Sequence, residues 1–233
     1  MVKFNSNSDI EKKTVEEKLE LIDRIENSNG VNGIDFEVLE ILSRDEDDEV
    51  RSRVAEKLVF FKTKDSEEIL KRLLNDDVEM VRVNACDSLY FSKSKESIEL
   101  LKLKVSKDKS SLVRGYATLS LADISNNTGL YKDDLSDFLI AVLSKERIKW
   151  VKINIFTALY LLGNKSYIDF LINELNNRYY RNRCAVVNSL GDILTDNNSV
   201  IIMEYLTKRN EVEKAISVKN AIDRVLQKMK VQG

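Results

Sequence analysis

The chain has 233 residues, of which 33 % are charged and 43 % hydrophobic, with a formal net charge of −2. It contains no histidine, no proline and only seven glycines. Without histidine there is no Ser-His-Asp or Cys-His catalytic pair and no Cys2His2 zinc site, and so few turn formers argue against an all-β fold.

The opening stretch, MVKFNSNSDIEKK, lacks the apolar core of a secretory leader, and no run of apolar residues is long enough to span a bilayer. The two cysteines, Cys86 and Cys184, are too few for a disulfide framework. The expectation is a cytoplasmic chain with no membrane segment. Residues 14–26 (TVEEKLELIDRIE) read as an amphipathic helix, opened by a capping box of Thr14 and Glu17. The segment NSNGVNG at 27–33 is the strongest break, so residues 1–33 read as a helical cap and residues 34–233 as the body of a single domain.

From residue 50 onward one segment recurs: VRSRVAEKL (50–58), VRVNACDSL (81–89), VRGYATLSL (113–121), VKINIFTAL (151–159), NRCAVVNSL (182–190) and, more weakly, VKNAIDRVL (218–226). Its first, fifth and ninth residues are mostly apolar, which places them on one helical stripe. Upstream of the copies lie further apolar patterns, such as Phe36, Leu39 and Leu42, or Ile69, Leu70 and Leu73. Acids or asparagines separate the two: Asp47 and Asp48, Asp76 and Asp77, Asp108, Asn176 and Asn177. Such residues accept hydrogen bonds from the free N–H groups that open a helix. Each unit therefore reads as helix A, a capped turn and helix B. A single hairpin cannot bury its apolar face, whereas stacked hairpins can.

An acidic turn followed by Val-Arg and a small-residue helix resembles the HEAT-repeat family, in its short bacterial form, over roughly residues 34–228. The resemblance implies an all-α, right-handed α-solenoid of about six helical hairpins. It also implies a non-enzymatic scaffold for protein–protein interaction, and that the basic residue second in each copy (Arg51, Arg82, Arg114, Lys152, Arg183, Lys219) pairs with turn acids.

The residue just before each copy should face away from the apolar stripe. It is Met80, Leu112, Trp150 and Arg181 in four successive copies, with Tyr116 one turn further on and Tyr179 and Tyr180 nearby. Trp, Tyr and Arg dominate binding hot spots, so these seven residues are the candidate partner-binding set. The competing reading packs them on helix A of their own hairpin.

Charge is uneven along the chain: residues 1–100 hold 16 Lys+Arg against 25 Asp+Glu, and residues 101–233 hold 21 against 14. The acidic half suits a basic protein partner, and an inhibitor such as the immunity protein of a toxin fits that description. No cofactor or metal site is expected. Two alternatives remain. One is a nucleic-acid binder, since RIKWVK (147–152) and RYYRNR (178–183) interleave basic and aromatic residues. The other is a phycobilin-lyase-like factor, which the HEAT-like family includes but for which no motif is present.

Overall fold

The computed structural model describes residues 7–25 and 33–232. Of the expected cap, residues 7–25 are therefore described, and the break at 27–33 lies outside the described residues except for Gly33. Every regular element among the described residues is helical. The chain divides into two compact units, Met1–Thr128 and Gly129–Gly233.

Unit 1 holds α1 (Asn7–Glu11), α2 (Val15–Arg24), α3 (Gly33–Leu42), α4 (Asp48–Leu58), α5 (Lys64–Leu73), α6 (Glu79–Ser88), α7 (Lys95–Lys107) and α8 (Ser111–Thr128), with a 3-10 turn at Leu89–Phe91. Unit 2 holds α9 (Lys132–Leu143), α10 (Lys149–Leu161), α11 (Tyr167–Glu174), α12 (Tyr180–Asp192), α13 (Ser199–Val212) and α14 (Ile216–Gln232). In unit 1 the B helices α2, α4, α6 and α8 pack in succession, and α3, α5 and α7 each cover the B helix that follows. Unit 2 repeats the scheme, with α10, α12 and α14 in succession and α9, α11 and α13 as their A helices. Each unit is thus a stack of helical hairpins, the construction of an α-solenoid.

The recurring stripe forms the core. Val50, Val54 and Leu58 of α4 are all 0 % exposed, as are Val81 and Ala85 of α6 with Leu89 after it, and Val113, Ala117 and Leu121 of α8. In unit 2 the same holds for Val151, Ile155 and Leu159 of α10 and for Val186 and Leu190 of α12. Burying a Val or Leu side chain in full contributes about 1.5–3 kcal/mol, so this stripe is the main force holding B helix to B helix. Ala85 and Ala117 keep two of these buried positions small. Gly191 marks a close helix approach in unit 2, because a Cβ placed there would lie 2.8 Å from Cγ2 of Val225 on α14.

Local chemistry opens the helices as their sequences dictate. Thr14 and Glu17 form the expected capping box: Glu17 Oε2 accepts from Thr14 N at 2.8 Å, and Thr14 Oγ1 accepts from Glu17 N at 3.3 Å. These bonds, led by the Thr14 backbone N–H, hold the Glu17 carboxyl below its usual range. Asp47 caps α4 by accepting from the N–H groups of Glu49 and Val50.

Candidate functional site

The turns between A and B helices share one internal device. Asp76 Oδ1 accepts from Val78 N at 3.0 Å, Asp108 Oδ1 from Ser110 N at 2.9 Å, and Asn177 Oδ1 from Tyr179 N at 3.0 Å. Asp45, Glu146 and Glu213 accept in the same way from the N–H two residues on. Each of these six residues stands six positions before the basic residue of its copy. The residue folds the turn, and at Asp45, Asp76, Asp108 and Glu213 the carboxylate also accepts from the preceding hairpin.

The basic residue fills that place. Arg51 donates from Nε and Nη2 to Asp76 at 2.7 and 2.9 Å, while its Nη1 donates to the carbonyls of Asp45 and Glu46 in its own turn. Arg82 does the same to Asp108 at 2.9 and 3.0 Å and to the carbonyls of Asp76 and Asp77. In unit 2, Arg183 grips Glu213 at 2.7 Å through both Nε and Nη2, and its Nη1 reaches the carbonyls of Asn177 and Arg178. Each arginine therefore closes its own turn and ties it to the next. A planar guanidinium can do both at once, which a lysine cannot.

The lysine copies differ accordingly. Lys152 has Asn177, not an acid, at the next turn, and Lys149 makes the link instead, to Glu174 at 2.6 Å. Lys219 is exposed.

The acids respond to this setting. Burial is the largest single influence and would raise Asp76 and Asp108, but the hydrogen bonds and charges of Arg51 and Arg82, respectively, together with the Val78 and Ser110 N–H groups, jointly outweigh it and leave both carboxyls below their usual range. Glu213 is held far lower, chiefly by Arg183 against the cost of burial, with the Ala215 N–H and Arg209 adding to it. The arginines Arg51, Arg82 and Arg183 are thus engaged within the fold and are not free for a ligand.

Lys18 belongs to the same series. It is the fourth residue of α2, as Arg51 is of α4, and it pairs with Asp45 at 2.7 Å with both side chains nearly buried. Sequence reasoning passed over it because Glu17 replaces the valine that marks most of the other copies. The signal available was the spacing of 33 residues between Lys18 and Arg51, which continues the repeat period.

The candidate binding residues fall in both units. In unit 1, Met80 on α6 is 48 % exposed and Leu112 on α8 is 37 % exposed, at equivalent positions of adjacent B helices. Tyr116, one turn further along α8, is half-buried, and burial together with Asp87 pushes its phenol up. In unit 2, Trp150 on α10 is half-buried, whereas Tyr179, Tyr180 and Arg181 at the start of α12 are exposed. Arg178 lies over the Tyr179 ring at 4.4 Å from its centroid, and Arg181 Nε donates to Tyr180 Oη at 3.4 Å.

Unit 1 also carries an acidic cleft of about 510 Å³ along its B helices, lined by Glu56, Asn84, Asp87, Tyr90, Asp123 and Asn127 among others. Glu56 and Asp87 occupy the seventh position of successive copies, a regularity the sequence reading did not use. Burial, then the nearby Glu56, raise the Asp87 carboxyl. Asn84 Nδ2 donates to Ser52 Oγ at 2.8 Å and Glu56 Oε1 at 3.0 Å, which fixes the floor of the cleft.

Among the described residues, no group of His, Cys, Asp and Glu is placed to hold a metal ion, and no helix is long and apolar enough to cross a membrane. Cys86 is buried and Cys184 half-buried, both as free thiols. Burial drives the Cys86 thiol well above its ordinary range, so it acts as a small core residue.

A family model for HEAT repeats matches residues 37–124, the stretch from α3 into α8. No curated protein matches the chain. The arginine-to-acid link continues beyond the matched stretch, at Arg183 and Glu213 in unit 2. HEAT repeats generally serve as protein-interaction scaffolds. Residues 37–124 are thus similar to HEAT repeats, and the helical hairpins of both units follow the same construction.

Proposed function

We propose that the chain is a non-enzymatic scaffold that binds one protein partner along its B-helix face. The observation that carries this reading is the exposure of Met80 and Leu112 at equivalent positions of α6 and α8, on helices whose other apolar side is sealed. Apolar side chains aligned on adjacent B helices, beside an acidic cleft, suit a basic protein with an apolar contact patch. Tyr116 completes the unit 1 set, and Trp150, Tyr179, Tyr180 and Arg181 form a second set in unit 2. The α1–α2 pair, with Lys18 in ladder register, is proposed as a degenerate first repeat that caps the stack. The specific version we favour is a cytoplasmic bacterial inhibitor, such as the immunity protein of a basic toxin. Free thiols at Cys86 and Cys184 fit a reducing compartment.

The test is photo-crosslinking in the native cell from a benzophenone amino acid at position 80 or 112. The control is position 103, where Leu103 on helix α7 is 55 % exposed. A crosslinked protein specific to positions 80 and 112 supports the surface. Identical products from all three positions, or none, contradict it.

A further inference from the structure

We propose that the turn edge of unit 2 is a binding site for single-stranded nucleic acid. This goes beyond the protein-binding reading and reassigns Tyr179, Tyr180 and Arg181 from its second set; the residues that carry that reading, Met80 and Leu112, lie in unit 1.

The first turns of α10, α12 and α14 lie along one edge. Lys149 at the start of α10 binds Glu174 at the end of α11, and Arg183 in the first turn of α12 binds Glu213 just before α14. Each of the three turns presents a cation five residues before its ladder position: Arg147, Arg178 and Lys214, all exposed. Arg181 adds a fourth. Among the described residues none of these four makes an ion pair.

The edge's own acids are engaged inward. Glu146 accepts from the N–H groups of Arg147 and Ile148, and Glu174 binds Lys149 and Asn177. Glu213 is buried between Arg183 and Arg209. Glu211, on the last turn of α13, is an exposed acid adjoining this edge in sequence. Residues 129–233 hold 16 Lys+Arg against 12 Asp+Glu, so the wider unit does not cancel the edge.

Aromatic rings decide between anionic partners. Arg178 rests on the Tyr179 ring and also donates to its hydroxyl, while Arg181 donates to Tyr180. The two tyrosines are 56 % and 46 % exposed. Their rings and the guanidinium planes form flat surfaces on which bases can stack, next to cations and helix N-termini that favour phosphate. An acidic polypeptide would use the charge and leave the rings idle. Stacked helices sit ~10 Å apart, so three turns span ~20 Å, which suits a strand of a few nucleotides.

The test uses the full chain and a fluorescein-labelled 15-nucleotide oligothymidylate, read by anisotropy at several salt concentrations. Saturable binding is expected, weakening with salt with a slope of about −0.7 per phosphate, hence about −2 for three contacts. The double variant Arg147→Glu with Arg178→Glu should weaken binding at least tenfold. Tyr179→Ala with Tyr180→Ala should weaken it about fivefold or more at an unchanged salt slope. Lysine in place of both arginines should keep most of the affinity. Circular dichroism and melting, which exposed substitutions leave intact, verify that each variant is folded. Absence of binding, or equal binding by all variants, overturns the proposal. Tighter binding of a labelled oligoglutamate than of oligothymidylate also overturns it, and assigns the edge to an acidic protein segment. Crosslinking from positions 80 and 112 reads unit 1 alone, so the two readings fail separately.

Discussion

Arg82 and Asp108 meet through two parallel hydrogen bonds of 2.9 and 3.0 Å, with each side chain only 5 % exposed. The same guanidinium satisfies two carbonyls of its own turn at 2.9 Å. One side chain thus fixes a turn and its spacing to the next hairpin. Removing it leaves the buried Asp108 carboxylate without its counter-charge and takes a donor from each of two carbonyls. Arg82→Ala should destabilise unit 1 by about 3–5 kcal/mol, measured by urea unfolding. Arg82→Lys should recover less than half of that, because an ammonium cannot serve both turns. Full recovery by lysine would show that only the charge matters.

Asp76, Asp108 and Glu213 all have carboxyl pKa values below those of an unfolded chain. The unfolded state therefore binds protons that the native state resists. The resulting stability is fully present above the unfolded values, around pH 4, and is lost as pH falls through the native ones. Melting temperature should be level between pH 7 and 5 and fall steeply below pH 4. A variant with Asp76→Asn, Asp108→Asn and Glu213→Gln should be less stable at pH 7 and show a flatter acid limb. An acid limb as steep as that of the parent would contradict the assignment.

Leu112 and Leu121 lie on the same helix with opposite roles. Leu121 is fully enclosed, so Leu121→Ala should cost about 2–5 kcal/mol. Leu112→Ala should cost less than about 1 kcal/mol, because that side chain already faces solvent. Chemical denaturation of both variants measures the difference. Equal losses would mean that Leu112 packs as core, and the proposed surface would lose one of its two anchors.

At Gly191 the gain in helix propensity opposes a steric cost. An added methyl would meet Val225 Cγ2 at 2.8 Å, closer than side-chain carbons pack. Gly191→Ala should destabilise by about 1–3 kcal/mol. Adding Val225→Ala should lessen the penalty of the alanine, a coupling read by a double-mutant cycle. Independent, additive effects would place the close approach elsewhere.

The apolar stripe was legible in the sequence because Val50, Val54 and Leu58 and most of their counterparts keep a four-residue spacing, which an α-helix turns to one side. The pairing of Arg51 with a turn acid was legible from the family resemblance and the composition of the turns. Which turn it would reach was not. Asp76 belongs to the following hairpin, and that depends on the offset between stacked helices, which no local pattern encodes. Lys18 was hidden because Glu17 replaces the valine that marks most of the other copies. Exposure was the least legible property. Met80 and Trp150 hold equivalent positions, yet one is exposed and the other half-buried, a difference that no repeat pattern records.

Hydrogen–deuterium exchange of the chain, alone and with the protein crosslinked at positions 80 and 112, tests the central claim most directly. The scaffold reading expects slowed exchange at the first turns of α6 and α8 and unchanged exchange along α5 and α7. Protection confined to α5 and α7, with α6 and α8 unaltered, would contradict it.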